Sequence, residues 1–255
     1  MNRFKRLVEE LEEIRRSLPP ESHVPIELDD NTKKAMSNIR EQMQRMPAEI
    51  AKLSIGLAKR GWYLWMDTPF TLARTATALL NGCHFEKLDD LFMTYLTHER
   101  RRIEVAILDS VPSRRNVLCP AFRAHRKKQY ALSVPVFLSQ ADGICSELLG
   151  VGFYSRSRGT PKTASVAIRF TGSQFVSSMI EPLRVAGALN AFEDERHQFP
   201  DILNRHEVLH GKSVTYDTAV NSFRALSLLA YLATTVLTAK EYQEFCDERA
   251  ATTLK

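Results

Sequence analysis

The sequence predicts an all-α chain, and three observations carry that reading. Ten glycines and eleven prolines are few for 255 residues, so turn signals are widely spaced. Apolar residues recur at three- and four-residue steps, the period of a helix face, and the two-residue alternation of a half-buried strand is scarce. A hydrophobic content of 44% over this length suffices to build a sizeable core. The expected architecture is a multi-helix bundle, with an N-terminal helical region over residues 1–110 packed against a C-terminal helical domain over residues 111–255. The boundary is placed near Val111 because Pro112 and Pro120 punctuate the chain there. No glycine- or serine-rich linker separates the two regions, which argues for packing rather than loose tethering.

The elements follow in order. Phe4, Leu7, Val8, Leu11 and Ile14 predict an amphipathic helix over residues 2–18, closed by Pro19 and Pro20, as an N-terminal or partner-binding arm. Pro47 divides the next pattern into helices over about 32–45 and 47–59, with Gly61 capping the second. Trp62, Tyr63, Leu64 and Trp65 read as a hydrophobic plug where helices meet. Asp67-Thr68-Pro69 starts a helix over 69–80, and a longer one covers 85–108. A helix from Ala121 breaks near residues 128–130, after which an apolar helix containing Pro135 ends at Gly150. Asp142 and Gln140 sit in that apolar helix, and a carboxylate there must be paired or aimed at a site. A basic loop at 155–162, a helix over about 172–192, and the link "EDERHQFP" lead to a short motif helix over 201–210. Pro200 near its first turn and Gly211 just past its end set those bounds. A long apolar helix capped at Asp217 or Thr218 closes the chain.

The charge is uneven. The formal net charge is +5, yet His98–Lys128 alone holds nine Arg or Lys against three acids. Arg123, Arg126, Lys127 and Lys128, with Arg156 and Arg158 in the second basic cluster, are the candidate contacts to a polyanion. A solvated helix face or a salt-bridged seam explains such runs equally well. Four widely spaced cysteines without a C-x-x-C pair suit a reducing compartment and make zinc-ribbon or redox chemistry unexpected. The N-terminus is charged throughout, and the longest apolar run, "ALSLLAYLATTVLTA", is too short to span a bilayer, so the expectation is a cytoplasmic protein without membrane contact.

The stretch "NRHEVLHGKS" carries two chemistries. His206, Glu207 and His210 spell H-E-x-x-H, in which two imidazoles one helical turn apart grip Zn²⁺ and the glutamate acts as base. Gly211 and Lys212 interrupt the helix where that motif runs on, no third ligand is placed, and no sheet is expected to bind a peptide. Arg205 and His210 spell R-x-x-x-x-H, a step of about 140° on a helix.

That second pattern, with polar His206 after the Arg and apolar helices over 121–150 and 217–241, resembles the HEPN superfamily of nucleic-acid-associated helical domains over about the C-terminal 140 residues. The resemblance implies a metal-independent endoribonuclease without cofactor, a toxin or antiviral-defence effector. Two copies of the motif would meet across a homodimer around one scissile phosphate. Arg205 and His210 are then catalytic: the His as acid or base around the 2′-hydroxyl and leaving oxygen, the Arg steadying phosphate charge. Cleavage would leave a 2′,3′-cyclic phosphate, which makes RNA the substrate. Asn204, His206, Asp142 and Lys212 are supporting candidates. The toxin branch of that superfamily often has Tyr two residues after the His, where this chain has Lys212, so control by a partner that modifies such a Tyr is not expected. An RNA- or protein-binding helical module without catalysis is the alternative, and a zinc hydrolase the lesser one. An antitoxin or trigger is a possible partner under the first reading.

Overall fold

A computed structural model describes residues 3–17, 29–157 and 159–253. It is 76% helical, an all-α bundle. Among the described residues, β structure is confined to Arg156–Ser157 (β1) and Thr160–Pro161 (β2), an antiparallel pair that closes a tight turn.

Helices α1 (Arg3–Ser17), α2 (Asp30–Lys59), α3 (Phe70–Asn81) and α4 (Phe85–Ser110) come first, followed by a 3-10 turn at Pro112–Arg114. Helices α5 (Arg115–Arg126) and α6 (Tyr130–Leu149) form a hairpin through Lys128, whose φ of 59° makes the turn. Short α7 (Lys162–Ala167), α8 (Gln174–Met179) and α9 (Arg205–Leu209) lie in an irregular stretch. The chain ends in α10 (Ala219–Ala230), a π-helical segment over Tyr231–Val236, and α11 (Leu237–Thr253).

The core is built around α10. Residues 224–236 are buried on every side, with α6 packed on one flank, α4 on another and α5 behind α6. An all-round apolar helix needs such cover. The stretch Ala219–Thr252 is long and apolar enough to cross a membrane, longer than the sequence reading allowed, but 89% of its apolar window is buried inside the fold. Buried residues from both predicted regions, among them Leu57, Trp62 and Phe92 with Phe137, Leu228 and Tyr231, belong to one continuous cluster. The aromatic plug is as expected: Trp62 stacks on Phe92 with ring centroids 5.0 Å apart, and Trp65 donates to the Tyr95 hydroxyl at 2.8 Å.

Polar groups pin this core. Arg224, 4% exposed, makes a two-pronged ion pair with Asp89 at 3.0 and 2.9 Å, and Trp62 Nε1 donates to the same carboxylate at 2.7 Å. Nearby, His125 Nδ1 lies 2.7 Å from Ser222 Oγ, which lies 2.8 Å from Ser133 Oγ. Burial, aided by Arg100 and Arg126, pulls the His125 pKa from 6.5 down to about 4.

The structure corrects several boundaries. Helix α2 continues through Pro47: the carbonyl that loses its partner belongs to Met43, which is exposed, so the lost bond faces solvent instead of a dry interior. Pro120, read as punctuation, likewise sits inside α5, whereas Pro135 lies inside α6 as expected. The helix expected over 172–192 is instead α8 followed by 3-10 turns at Glu181–Arg184, Ala188–Asn190 and Glu193–Gln198. Gly187 breaks it: a Cβ there would stand 2.7 Å from the Ala58 carbonyl oxygen, and the Asn190 side chain takes the Gly187 N–H at 2.7 Å. The motif helix starts at Arg205 rather than 201, since Asp201 adopts a left-handed φ of 58° and Asn204 is the N-cap.

Candidate functional site

The site is assembled by three segments: the 150–155 turn after α6, the 3-10 strap over 188–198, and α9, which follows the strap closely in sequence. Asn204 fixes the strap to α9. Its Oδ1 accepts from the His206 and Glu207 N–H groups at 2.9 and 3.3 Å, and its Nδ2 donates to the Ala188 and Ala191 carbonyls at 3.1 and 2.9 Å. Both ends of this buried amide are used, so Asn204 is a cap and a brace, not a contact for a ligand.

Arg205, the first residue of α9, turns toward the 150–155 turn. Its guanidinium carbon sits 4.5 Å from the Tyr154 ring centroid, and its Nε is buried without a hydrogen bond. Tyr154 is itself held by α6: its N–H donates to Asp142 at 3.2 Å and its hydroxyl to the Leu138 carbonyl at 3.3 Å. Burial drives the Tyr154 pKa well up, keeping the phenol neutral. Asp142 therefore meets Arg205 through Tyr154, one step removed from the orienting contact anticipated.

His206 and His210 come together, with ring centroids 4.4 Å apart. His210 is exposed at the helix end, capped through its own backbone N–H to the His206 carbonyl. The R-x-x-x-x-H pair thus diverges: Arg205 faces Tyr154, while His210 stands beside His206. His206 links the two sides. With Arg205, Tyr154, Asn190 and Phe192 it lines a narrow inner recess. With Phe192, Arg196, Glu207 and Lys212 it lines a roomier outer recess. Phe192, 42% exposed, stands between the two as an aromatic wall.

Glu207 is engaged by Arg196 at 2.9 Å, and that guanidinium also donates to the Phe199 carbonyl. The glutamate of H-E-x-x-H is thus a brace for the strap. Among the described residues no group of three His, Cys, Asp or Glu is arranged to hold a metal ion, so His206 and His210 lack the third ligand a zinc site requires.

The basic candidates divide. Arg123, Lys127 and Lys128 are exposed at the end of α5, and Arg126 is tied to Glu104 at 2.5 Å. Tyr216 donates to the Ala131 carbonyl at 3.1 Å, which lays the segment after α9 against the start of α6, close in sequence to Lys127 and Lys128. Arg156 corrects the reading of the second cluster. Its side chain is 6% exposed, pairs with Glu195 at 2.6 Å, donates to the Asn190 and Gly159 carbonyls, and covers the Phe192 ring. A guanidinium so occupied holds the strap in place instead of meeting a polyanion. Arg158 lies outside the described residues.

Sequence reading missed Tyr154, Phe192, Arg196 and Glu195. Nothing in the spacing links them to α9, and the "EDERHQFP" segment reads as a connector until the strap folds over the motif. No protein-family model, curated protein or solved structure matches this chain.

Proposed function

We propose that the cleft between the 188–198 strap and α9 binds RNA phosphate and that the chain is a metal-independent endoribonuclease of the HEPN type, working as a homodimer in a toxin or antiviral-defence role. The observation that carries this reading is the makeup of one cleft: Arg205, Arg196, His206 and Lys212 gather around exposed Phe192. Cations for a phosphate beside an aromatic face for a base are what single-stranded nucleic acid requires. Arg205 is seated on Tyr154 and lines the inner recess. In this reading it steadies the phosphate, and His210, exposed beside His206, exchanges the proton of the 2′-hydroxyl or leaving oxygen. Asp142 and Tyr154 position Arg205 without touching substrate.

A second reading is favoured by the divergence of Arg205 and His210. A cleft that gathers cations without converging an acid and a base is suited to binding RNA without cutting it.

End-labelled total RNA incubated in excess EDTA with wild type, Arg205→Ala, His210→Ala and Glu207→Gln separates these. The ribonuclease reading expects cutting by wild type and Glu207→Gln and none by the other two. Absence of cutting by every protein, with a gel shift that Arg205→Ala weakens, replaces it with the binding reading. Loss of cutting in wild type together with loss of the gel shift removes both.

A further inference from the structure

The corner where α4 meets the end of α5 carries cations that the fold leaves unpaired. Between His98 and Lys128 every acid is already taken: Glu99 by Arg102, Glu104 by Arg126 at 2.5 Å, and Asp109 by Arg115. Arg114 turns away to Glu147. Among the described residues, Arg100, Arg101, Arg123, Lys127 and Lys128 are left without an ion pair.

These charges are gathered in one place. Arg123, Arg126 and Lys127 follow one another at three- and four-residue spacings and share a face at the end of α5. Arg100 stands one turn before Glu104 on α4, and Glu104 holds Arg126, so the two helices bring Arg100 to the same corner. Burial first, and then the charges of Arg100 and Arg126, lower the pKa of His125, which sets both guanidiniums near one ring. Cations in the last turn of α5 complement its dipole. That leaves Arg100 unexplained, in the middle of α4, and like charges so grouped repel one another.

The corner is joined to the cleft. Residues 212–218 run from Lys212, which lines the outer recess, to Thr218, the N-cap of α10. Tyr216 pins this segment on the Ala131 carbonyl at 3.1 Å, just past Lys128. In the first turns of α10, His125 meets Ser222 at 2.7 Å and the Phe223 ring edge-on at 4.7 Å. The segment spans at most about 21 Å, and Asp217 is its one acid.

We propose that the α4–α5 corner is a second contact surface for RNA held in the α9 cleft, gripping phosphates of the strand where it leaves past residues 212–218. Phe122 is buried and Tyr130 half-buried, so the corner offers cations and no exposed ring, and it holds the backbone without reading bases. Continuity with the cleft selects the strand over an acidic protein or an anionic bilayer. This inference rests on the RNA reading of the cleft.

Fluorescence anisotropy with 2′-O-methyl RNA, which lacks the free hydroxyl that cleavage needs, tests it over lengths from about 4 to about 20 nucleotides. Wild type is compared with Arg205→Ala and with two corner variants, Arg123→Gln/Lys127→Gln/Lys128→Gln and Arg100→Gln, each checked for an unchanged helical signal. Wild-type affinity is expected to climb with length by about tenfold or more, and Arg205→Ala to weaken every length. The triple variant flattens the climb, leaves the shortest strand bound as before, and lowers the salt slope of the longest by about 2; Arg100→Gln acts in the same direction. A triple variant that matches wild type at every length overturns the corner, and the cleft reading survives if Arg205→Ala still weakens binding. An Arg205→Ala chain that binds every length like wild type removes the cleft reading and the continuous path with it. Binding to phosphatidylserine vesicles that exceeds binding to the longest strand, and that the triple variant loses, assigns the corner to a membrane surface and overturns the proposal.

Discussion

The α4–α5–α10 core and the α9 cleft are built from the same kinds of side chain and use them in opposite ways. In the core, Arg224 is closed onto Asp89, and His125 onto Ser222, which in turn meets Ser133, with apolar side chains around both. In the cleft, Glu207 holds one of the arginines, Arg196, while Arg205 rests on the Tyr154 ring and lines the inner recess, and His206 lines the outer one beside exposed His210. An arginine or histidine therefore says little about role until its desolvation and its partners are known. Where a carboxylate or hydroxyl partner is buried with it, the group is structural; where the side chain is packed on a ring and borders a recess, it can serve a ligand.

The largest expected effect breaks the core side of this comparison. Arg224→Ala leaves Asp89 without its cation and opens space beside Trp62, and urea unfolding should show a loss of about 3 kcal/mol. A loss under about 1 kcal/mol would mean that the pair contributes no more than a surface bridge.

Close behind is a pH effect. Because the folded state holds the His125 pKa near 4, below the ordinary 6.5, the unfolded chain binds the extra proton first. The contribution of neutral His125 is thus fully present above about pH 6.5 and is lost as pH falls toward 4. Between those limits it amounts to about 3 kcal/mol. Unfolding curves at pH 7 and pH 4.5 should differ by less in His125→Gln than in wild type; an unchanged difference would assign the acid sensitivity to other groups.

A smaller effect sharpens the cleft side. Arg205→Ala should lower stability by no more than about 1 kcal/mol, the worth of a partly exposed cation on an aromatic ring, while weakening RNA binding strongly. Parallel unfolding and gel-shift measurements check this, and a stability loss as large as that of Arg224→Ala would move Arg205 into the structural class. The smallest effect belongs to exposed Lys127 and Lys128. Their replacement by Ala should change stability by less than about 0.5 kcal/mol and, if the RNA path reaches α5, flatten the salt dependence of binding by roughly two phosphate contacts.

Much of the fold was legible because helices announce themselves locally. The ends at Leu149, beside left-handed Gly150, and at Lys59, before left-handed Gly61, follow from cap chemistry written in adjacent residues. The break at Lys128 and the burial of Trp62 and Trp65 did too. Pro47 misled because a proline ends a helix only if the lost bond cannot be replaced, and exposure at Met43 is a fact of the tertiary structure. The 172–192 segment misled because Gly187 answers to the Ala58 carbonyl, 129 positions earlier.

The candidate site was legible in its motif and illegible in its surroundings. Spacing alone sets Arg205 and His210 about 140° apart and brings His206 beside His210. It could not tell that Asn204 is consumed as a cap, that Arg156 is buried with Glu195, or that Tyr154 and Phe192 wall the cleft.

By itself, then, the sequence determined the helical class, most helix ends and the aromatic plug, since each depends on residues within a few turns of one another. Only the tertiary structure decided which arginines and histidines are neutralised and which line open space. Desolvation and partner geometry depend on segments brought together from tens of residues apart, and no local pattern encodes that meeting.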